Sequence, residues 1–142
     1  MATLIANLGT VLFNGGGAPS ITSNGQSFNN VTLNNAAGVF TAIDAFVASA
    51  TLTVTNTSGV TFSSTVSAAT IALTATTGTI AFNGAVTATV FTAAAAGYNV
   101  TLNGGGTITN LVTFNNTGTL SIGAAGLTFT GGATDTAGAK SF

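Results

Sequence analysis

The charged side chains of this 142-residue chain are Asp44, Asp135 and Lys140 alone, and there is no histidine or cysteine. General acid/base work on one bond needs two carboxylates roughly 5–10 Å apart, and Asp44 and Asp135 stand near opposite ends of the chain. The chain is therefore expected not to be an enzyme, with no catalytic, cofactor-binding or metal-ligating residue and no cofactor. The two aspartates are read as solvent-facing corner residues. Gly131-Gly132-Ala133-Thr134-Asp135 is similar to a calcium-binding glycine/aspartate repeat, but it lacks the third glycine and occurs once, so a capping loop is the expected use. Gly15-Gly16-Gly17 and Gly104-Gly105-Gly106 lack the following Lys-Ser/Thr pair of a phosphate loop and are read as corner glycines. Four Asn-x-Ser/Thr sequons, at Asn30, Asn56, Asn99 and Asn115, arise easily in so Asn- and Thr-rich a chain.

Charge also limits the partners. Only 2% of residues are charged and the net charge is −1, against about 25% charged residues in an ordinary soluble domain. With Lys140 the only cation, nothing could displace counterions from a phosphate backbone or an anionic lipid surface. Nucleic acid is excluded as a partner. No run of about 18 apolar residues provides a transmembrane segment, and Met1-Ala2-Thr3-Leu4-Ile5 has no basic region ahead of an apolar one, so no standard signal peptide is expected. Ten phenylalanines, 46% hydrophobic residues and abundant Val, Ile and Thr argue against disorder.

The elements that position these residues follow from a repeat. Gly17, Gly38, Gly59, Gly78, Gly97, Gly118 and Gly138 recur at a period near twenty. Seven residues ahead of five of them stand Val31, Leu52, Ile71, Val90 and Leu111. Val31-Thr32-Leu33 and Leu52-Thr53-Val54 alternate as strands do, and so, after the glycine, do Val60-Thr61-Phe62, Ile80-Ala81-Phe82 and Val100-Thr101-Leu102. A third apolar cluster appears at Phe46-Val47, Val66, Val86 and Ile108. Asn-Gly corners such as Phe82-Asn83-Gly84 separate them, since Asn and Gly tolerate positive φ. Ala93 to Ala96, helix-prone in isolation, is read as a tight corner because Gly97 follows in register.

Every period presents its parts in the same order, which favours coils stacked in parallel over hairpins. The expected fold is all-β: a parallel β-solenoid (β-helix) of about seven coils with a period near twenty residues, forming one domain over residues 1–142. Val, Ile, Leu and Phe are expected inside, with Thr, Ser and Asn outside and pairing along the stack.

The phrases Val100-Thr101-Leu102-Asn103-Gly104-Gly105-Gly106-Thr107-Ile108-Thr109 and Gly78-Thr79-Ile80-Ala81-Phe82-Asn83-Gly84 resemble repeats of autotransporter passenger and filamentous-haemagglutinin-type β-helix surface proteins. That resemblance covers most of the chain and implies an extracellular or cell-surface β-helix concerned with adhesion, biofilm matrix or coating.

Three roles are expected, in this order. The first is a structural extracellular protein that assembles head-to-tail with copies of itself into a surface or matrix fibre, because neither end shows much protection beyond Pro19, Asp135 and Lys140. The second is an adhesin module binding cell-surface glycan, matrix components or protein along the rod; it is disfavoured by the absence of Trp and the single Tyr98. The third is an ice-binding solenoid. Thr51-Leu52-Thr53-Val54-Thr55 suggests it, but the glycine register aligns Thr53 with Thr32, Ala72, Phe91 and Val112, which would break the ladder. An outer-membrane barrel would need aromatic girdles and a charged lumen, and the composition supplies neither.

Overall fold

The computed structural model describes residues 8–136 and 138–141. The stretch from Met1 to Ile5, read above for an export signal, lies outside the described residues. The described chain is wholly strands and corners, and every strand pair is parallel. In chain order the early strands are β1 (Thr10–Phe13), β2 (Ser20–Ile21), β3 (Ser27–Phe28), β4 (Asn30–Leu33), β5 (Phe40–Ala42) and β6 (Phe46–Val54). The middle coils contribute β7 (Val60–Phe62), β8 (Val66–Leu73), β9 (Thr79–Phe82), β10 (Val86–Ala93) and β11 (Asn99–Leu102). The last coils contribute β12 (Gly106–Ile108), β13 (Val112–Phe114), β14 (Leu120–Ile122), β15 (Leu127–Phe129), β16 (Ala133–Asp135) and β17 (Lys140–Ser141).

One seven-stranded sheet runs β2-β5-β7-β9-β11-β14-β17, and a ten-stranded sheet holds the rest. The larger sheet bends into two faces. Each long strand, β6, β8 or β10, crosses both faces, whereas β3/β4 and β12/β13 divide the same path into two strands. The chain is thus a three-faced parallel β-solenoid. Seven strand levels enclose six turns, where the period predicts about seven coils. At about 4.8 Å per level the rod is about 29 Å tall.

Alternation along each strand drives the packing: β4 and β11 both read half-buried, buried, half-buried, buried. The inward positions stack into columns such as Phe13, Leu33, Val54, Leu73, Ala93 and Phe114 on one face, and Phe40, Val60, Ile80, Val100 and Leu120 on another. Every described phenylalanine joins one path of ring contacts from Phe40 and Phe13 through Phe28, Phe46, Phe62, Phe82, Phe91 and Phe114 to Phe129. The Phe62 and Phe82 rings stack at 5.0 Å and 13°. Outside, side-chain ladders follow the stack, as from Asn103 Nδ2 to Asn83 Oδ1 (3.0 Å) and from Asn56 Nδ2 to Asn34 Oδ1 (3.0 Å).

The glycine register is off by one in two coils. Gly17, Gly38, Gly78, Gly118 and Gly138 share one column, but its other members are Ser58 and Tyr98, so Gly59 lies one residue late and Gly97 one early. The inward column of Val31, Leu52 and Ile71 continues through Phe91, as the early Gly97 implies, and through Val112, rather than through Val90 and Leu111. Leu111 instead stands 59% exposed. One extra residue between Ile108 and Phe114 divides the strand there and pushes Leu111 outward.

Candidate functional site

Asp44 is the first of the three charges along the chain. It sits half-buried at the corner between β5 and β6, as expected of a corner residue. Its Oδ1 accepts the Ser23 amide at 2.7 Å and its Oδ2 the Asn24 amide at 2.7 Å, with the Ser23 hydroxyl 3.1 Å from Oδ2. Asn24 (φ 53°) and Gly25 (φ 76°) turn left-handed there. The carboxylate therefore holds the bulging corner of the preceding coil.

The Ser23 amide above all, with the Asn24 amide and the Ser23 hydroxyl, outweighs the opposing desolvation and holds the Asp44 carboxyl below its ordinary pKa of 3.8. A folded-state pKa below the unfolded one gives stabilisation that is present above the unfolded value and lost as pH falls through the folded value. Acidifying below about pH 3.8 is expected to release the Ser23–Gln26 corner first. Asp44→Ala should speed amide exchange at Ser23 and Asn24 about tenfold at neutral pH; unchanged exchange there would refute this anchoring role.

Asp135 sits elsewhere than expected. Asp135 pairs with Phe114 and so continues the inward column that begins at Phe13. Lys140 pairs with Leu120 and so continues the inward column of Phe40, Val60, Ile80 and Val100. Asp135 is therefore no solvent-facing corner residue. Its side chain is 11% exposed, and its Oδ2 lies 3.3 Å from Lys140 Nζ. Two of the chain's three charges thus stand at the ends of core columns, Asp135 largely buried and Lys140 37% exposed, and close on each other.

Beneath the pair is a mouth of about 310 Å³ lined by Phe114, Leu120, Ile122, Leu127 and Phe129, with Asp135 at its edge. At the other end of the rod Val11, Phe13 and Ile21 are only partly buried. Each end also has strands paired on one side only among the described residues: β1, β2 and β3 at one end, and β15, β16 and β17 at the other. At the C-terminal side this ion pair is a guard on the strand edges, since an inward-pointing charge such as Asp135 disfavours edge pairing.

The glycine-rich segments behave as corners. Gly104 to Gly106 turn between β11 and β12, with φ 71° at Gly105 and 114° at Gly106. The calcium-like segment is a corner at Gly131-Gly132 followed by β16, and its carboxylate faces Lys140. Asp44 and Asp135 lie on different coils and are not brought together.

The threonine ladder is more regular than the glycine register suggests. The outward column containing Thr53 starts at the exposed Leu12 and continues through Thr32, Thr53, Ala72, Thr92, Thr113 and Thr134. Phe91 and Val112, which the glycine register aligns with it, point inward and are buried. The Thr134 and Thr113 hydroxyls are 3.0 Å apart. The neighbouring column is less regular, running Asn30, Thr51, Thr70, Val90 and Leu111. Every described aromatic ring is buried or partly buried, so none stands out for sugar stacking.

A set of buried polar corners goes beyond what sequence reasoning singles out. Asn35 Nδ2 donates to the Gly17 and Ala37 carbonyls at 2.9 and 2.8 Å, and Asn116 Nδ2 to the Tyr98 carbonyl at 3.1 Å. Between them the Thr57 and Thr76 hydroxyls lie 2.6 Å apart. Where Ala96 occupies this corner, the Tyr98 ring fills the space and its hydroxyl donates to Ala94 O at 3.0 Å; burial pushes its pKa up to about 12. The available signal is Asn two or three residues ahead of a register glycine, as in Asn35-Ala36-Ala37-Gly38 and Asn116-Thr117-Gly118.

No known protein family matches the chain, and comparison with curated proteins and with solved structures finds no significant match to either.

Proposed function

We propose that this chain is a non-catalytic structural rod of a cell surface or extracellular matrix, which gains length by joining end to end with copies of itself. The observation that carries the reading is the state of the two ends. Among the described residues both sheets finish in strands paired on one side, and half-buried apolar residues stand at both ends: Val11, Phe13 and Ile21 at one, and Ile122, Leu127 and Phe129 beside the Asp135–Lys140 pair at the other. The same coil-on-coil contact that builds the rod would extend it, and a heterologous contact that does not close produces a filament. A near-neutral chain offers little repulsion against this. The resemblance of its repeats to autotransporter and filamentous-haemagglutinin-type proteins supports placing it outside the cell. Electron microscopy of concentrated protein, with fibre diffraction, is expected to show unbranched filaments with a spacing near 4.8 Å along the axis, about that of paired strands. Rods of a single length at every concentration would refute the reading.

A second reading rests on the threonine column. Hydroxyls at Thr32, Thr53, Thr92, Thr113 and Thr134, repeating at about 4.8 Å along one face apart from the gap at Ala72, form a regular hydroxyl array suited to ordered water. Ice binding predicts a measurable gap between freezing and melting points that Thr92→Lys abolishes. No such gap in the wild type would eliminate it. Glycan adhesion is less well supported, for want of exposed rings.

A further inference from the structure

The C-terminal mouth and the charged pair above it form one unit. If a second copy continued the columns in register, its β1 would lie on β16 and its β2 on β17, in the parallel sense that every internal pair already uses. Thr10–Phe13 of that copy would then face Ala133–Asp135, setting Phe13 against Asp135 and Pro19 against Lys140. Phe13 and Pro19 offer a carboxylate and an ammonium no side-chain hydrogen bond, and Pro19 has no amide hydrogen. Below the pair, the mouth lined by Phe114, Leu120, Ile122, Leu127 and Phe129 is apolar and of a size to take one or two such side chains.

Resting on the end-to-end reading above, we infer that the mouth is the seat for the first coil of a second copy and that the Asp135–Lys140 ion pair gates it. The pair caps two core columns at the last coil, with the largely buried Asp135 carboxylate 3.3 Å from the more exposed Lys140 ammonium. Seating a second copy buries both charges under apolar side chains, so docking carries a desolvation penalty that the rest of the interface must overcome. Stacking is consequently held to high local concentration, and this end does not capture unrelated strand edges. The occupant favoured is a second copy, because its first coil offers strands in the required parallel sense and half-buried Val11, Phe13 and Ile21 to fill the mouth. It also brings no described charge of its own to the contact.

The test compares the concentration at which filaments appear, by sedimentation and electron microscopy, for the wild type and two variants. Asp135→Leu/Lys140→Leu restores the residue type of the columns; Asp135→Asn/Lys140→Gln removes the charges with little change of shape and serves if the first variant fails to fold. Circular dichroism confirms that each keeps the wild-type strand content. Either folded variant is expected to assemble at a concentration at least about tenfold lower than the wild type, a shift that added salt reproduces only weakly because the pair is partly buried. Equal thresholds for wild type and folded variants overturn the gate while leaving end-to-end stacking in place. Filaments from none of the three at any concentration overturn the stacking reading itself. Assembly of the variants only side by side, without an axial repeat of about 4.8 Å, overturns the assignment of the mouth as the seat.

Discussion

Phe62→Ala is expected to cost about 3–5 kcal/mol, enough to remove much of the stability of a rod this size. Phe62 is fully buried and sits at the middle of the ring path, 5.7 Å from the Phe46 ring and stacked on Phe82 at 5.0 Å. Truncation removes the ring's transfer energy and both ring contacts, and the neighbouring coils cannot close over the gap because their backbones are tied at strand spacing. In a solenoid each coil contacts only its neighbours, so a weak central coil also uncouples the two halves. Denaturant unfolding should therefore show a lower midpoint and a broader transition. Phe129→Ala provides the contrast. Its ring is partly buried at the end of the path, edge-on to Phe114 at 6.0 Å, and its loss should cost about 1–2 kcal/mol with the transition still sharp. Equal losses at both positions would mean that the coils do not couple as the column packing requires.

The solenoid is legible in the sequence because its causes are periodic. Apolar alternation and corner glycines recur at nearly the spacing of one turn, and every coil repeats the same order of parts. The exact register is not legible, because glycine marks a corner only to within a residue. Ser58 and Tyr98 take the glycine position in two coils, so counting from Gly59 and Gly97 shifts the count by one. In a strand a shift of one residue exchanges inside for outside. For this reason counting from Gly97 puts Val90 in the core and Phe91 in the threonine column, whereas Leu111 and Val112 change places because of the extra residue between Ile108 and Phe114. A register shift between Ala48 and Thr51, where β6 meets β8, adds to the drift. The charged end is hidden for the same physical reason. Asp135 and Lys140 look like surface residues by type, and only the pairing of β16 on β13 and β17 on β14 reveals that both continue core columns. Asp44 is readable as a corner residue, but its hold on Ser23 and Asn24 of the coil before depends on contacts 21 and 20 positions away.

The glycine column supplies the second large effect. Gly78→Ala is expected to destabilise by about 3–4 kcal/mol, the sum of left-handed strain and overpacking. Gly78 has φ 68°, and a Cβ built there overlaps the carbonyl of Ser58 in the coil below. That carbonyl is backbone held in the stack, so neither partner can move without opening the interface between coils. Gly97→Ala is the matched control. It belongs to the same sequence series, yet a Cβ added there would meet no atom within 4 Å, and its φ is not in the left-handed region. Its replacement should change stability by less than about 0.5 kcal/mol, or stabilise slightly by restricting the unfolded chain. Thermal and denaturant melts of the two variants measure the difference directly. A large loss at Gly78 beside none at Gly97 would show that close approach of successive coils, not membership of the periodic glycine series, makes a glycine indispensable here. Similar losses at both would instead mean that the Ala94–Gly97 corner is packed as tightly as the Gly78 corner, and would contradict the open space beside Gly97.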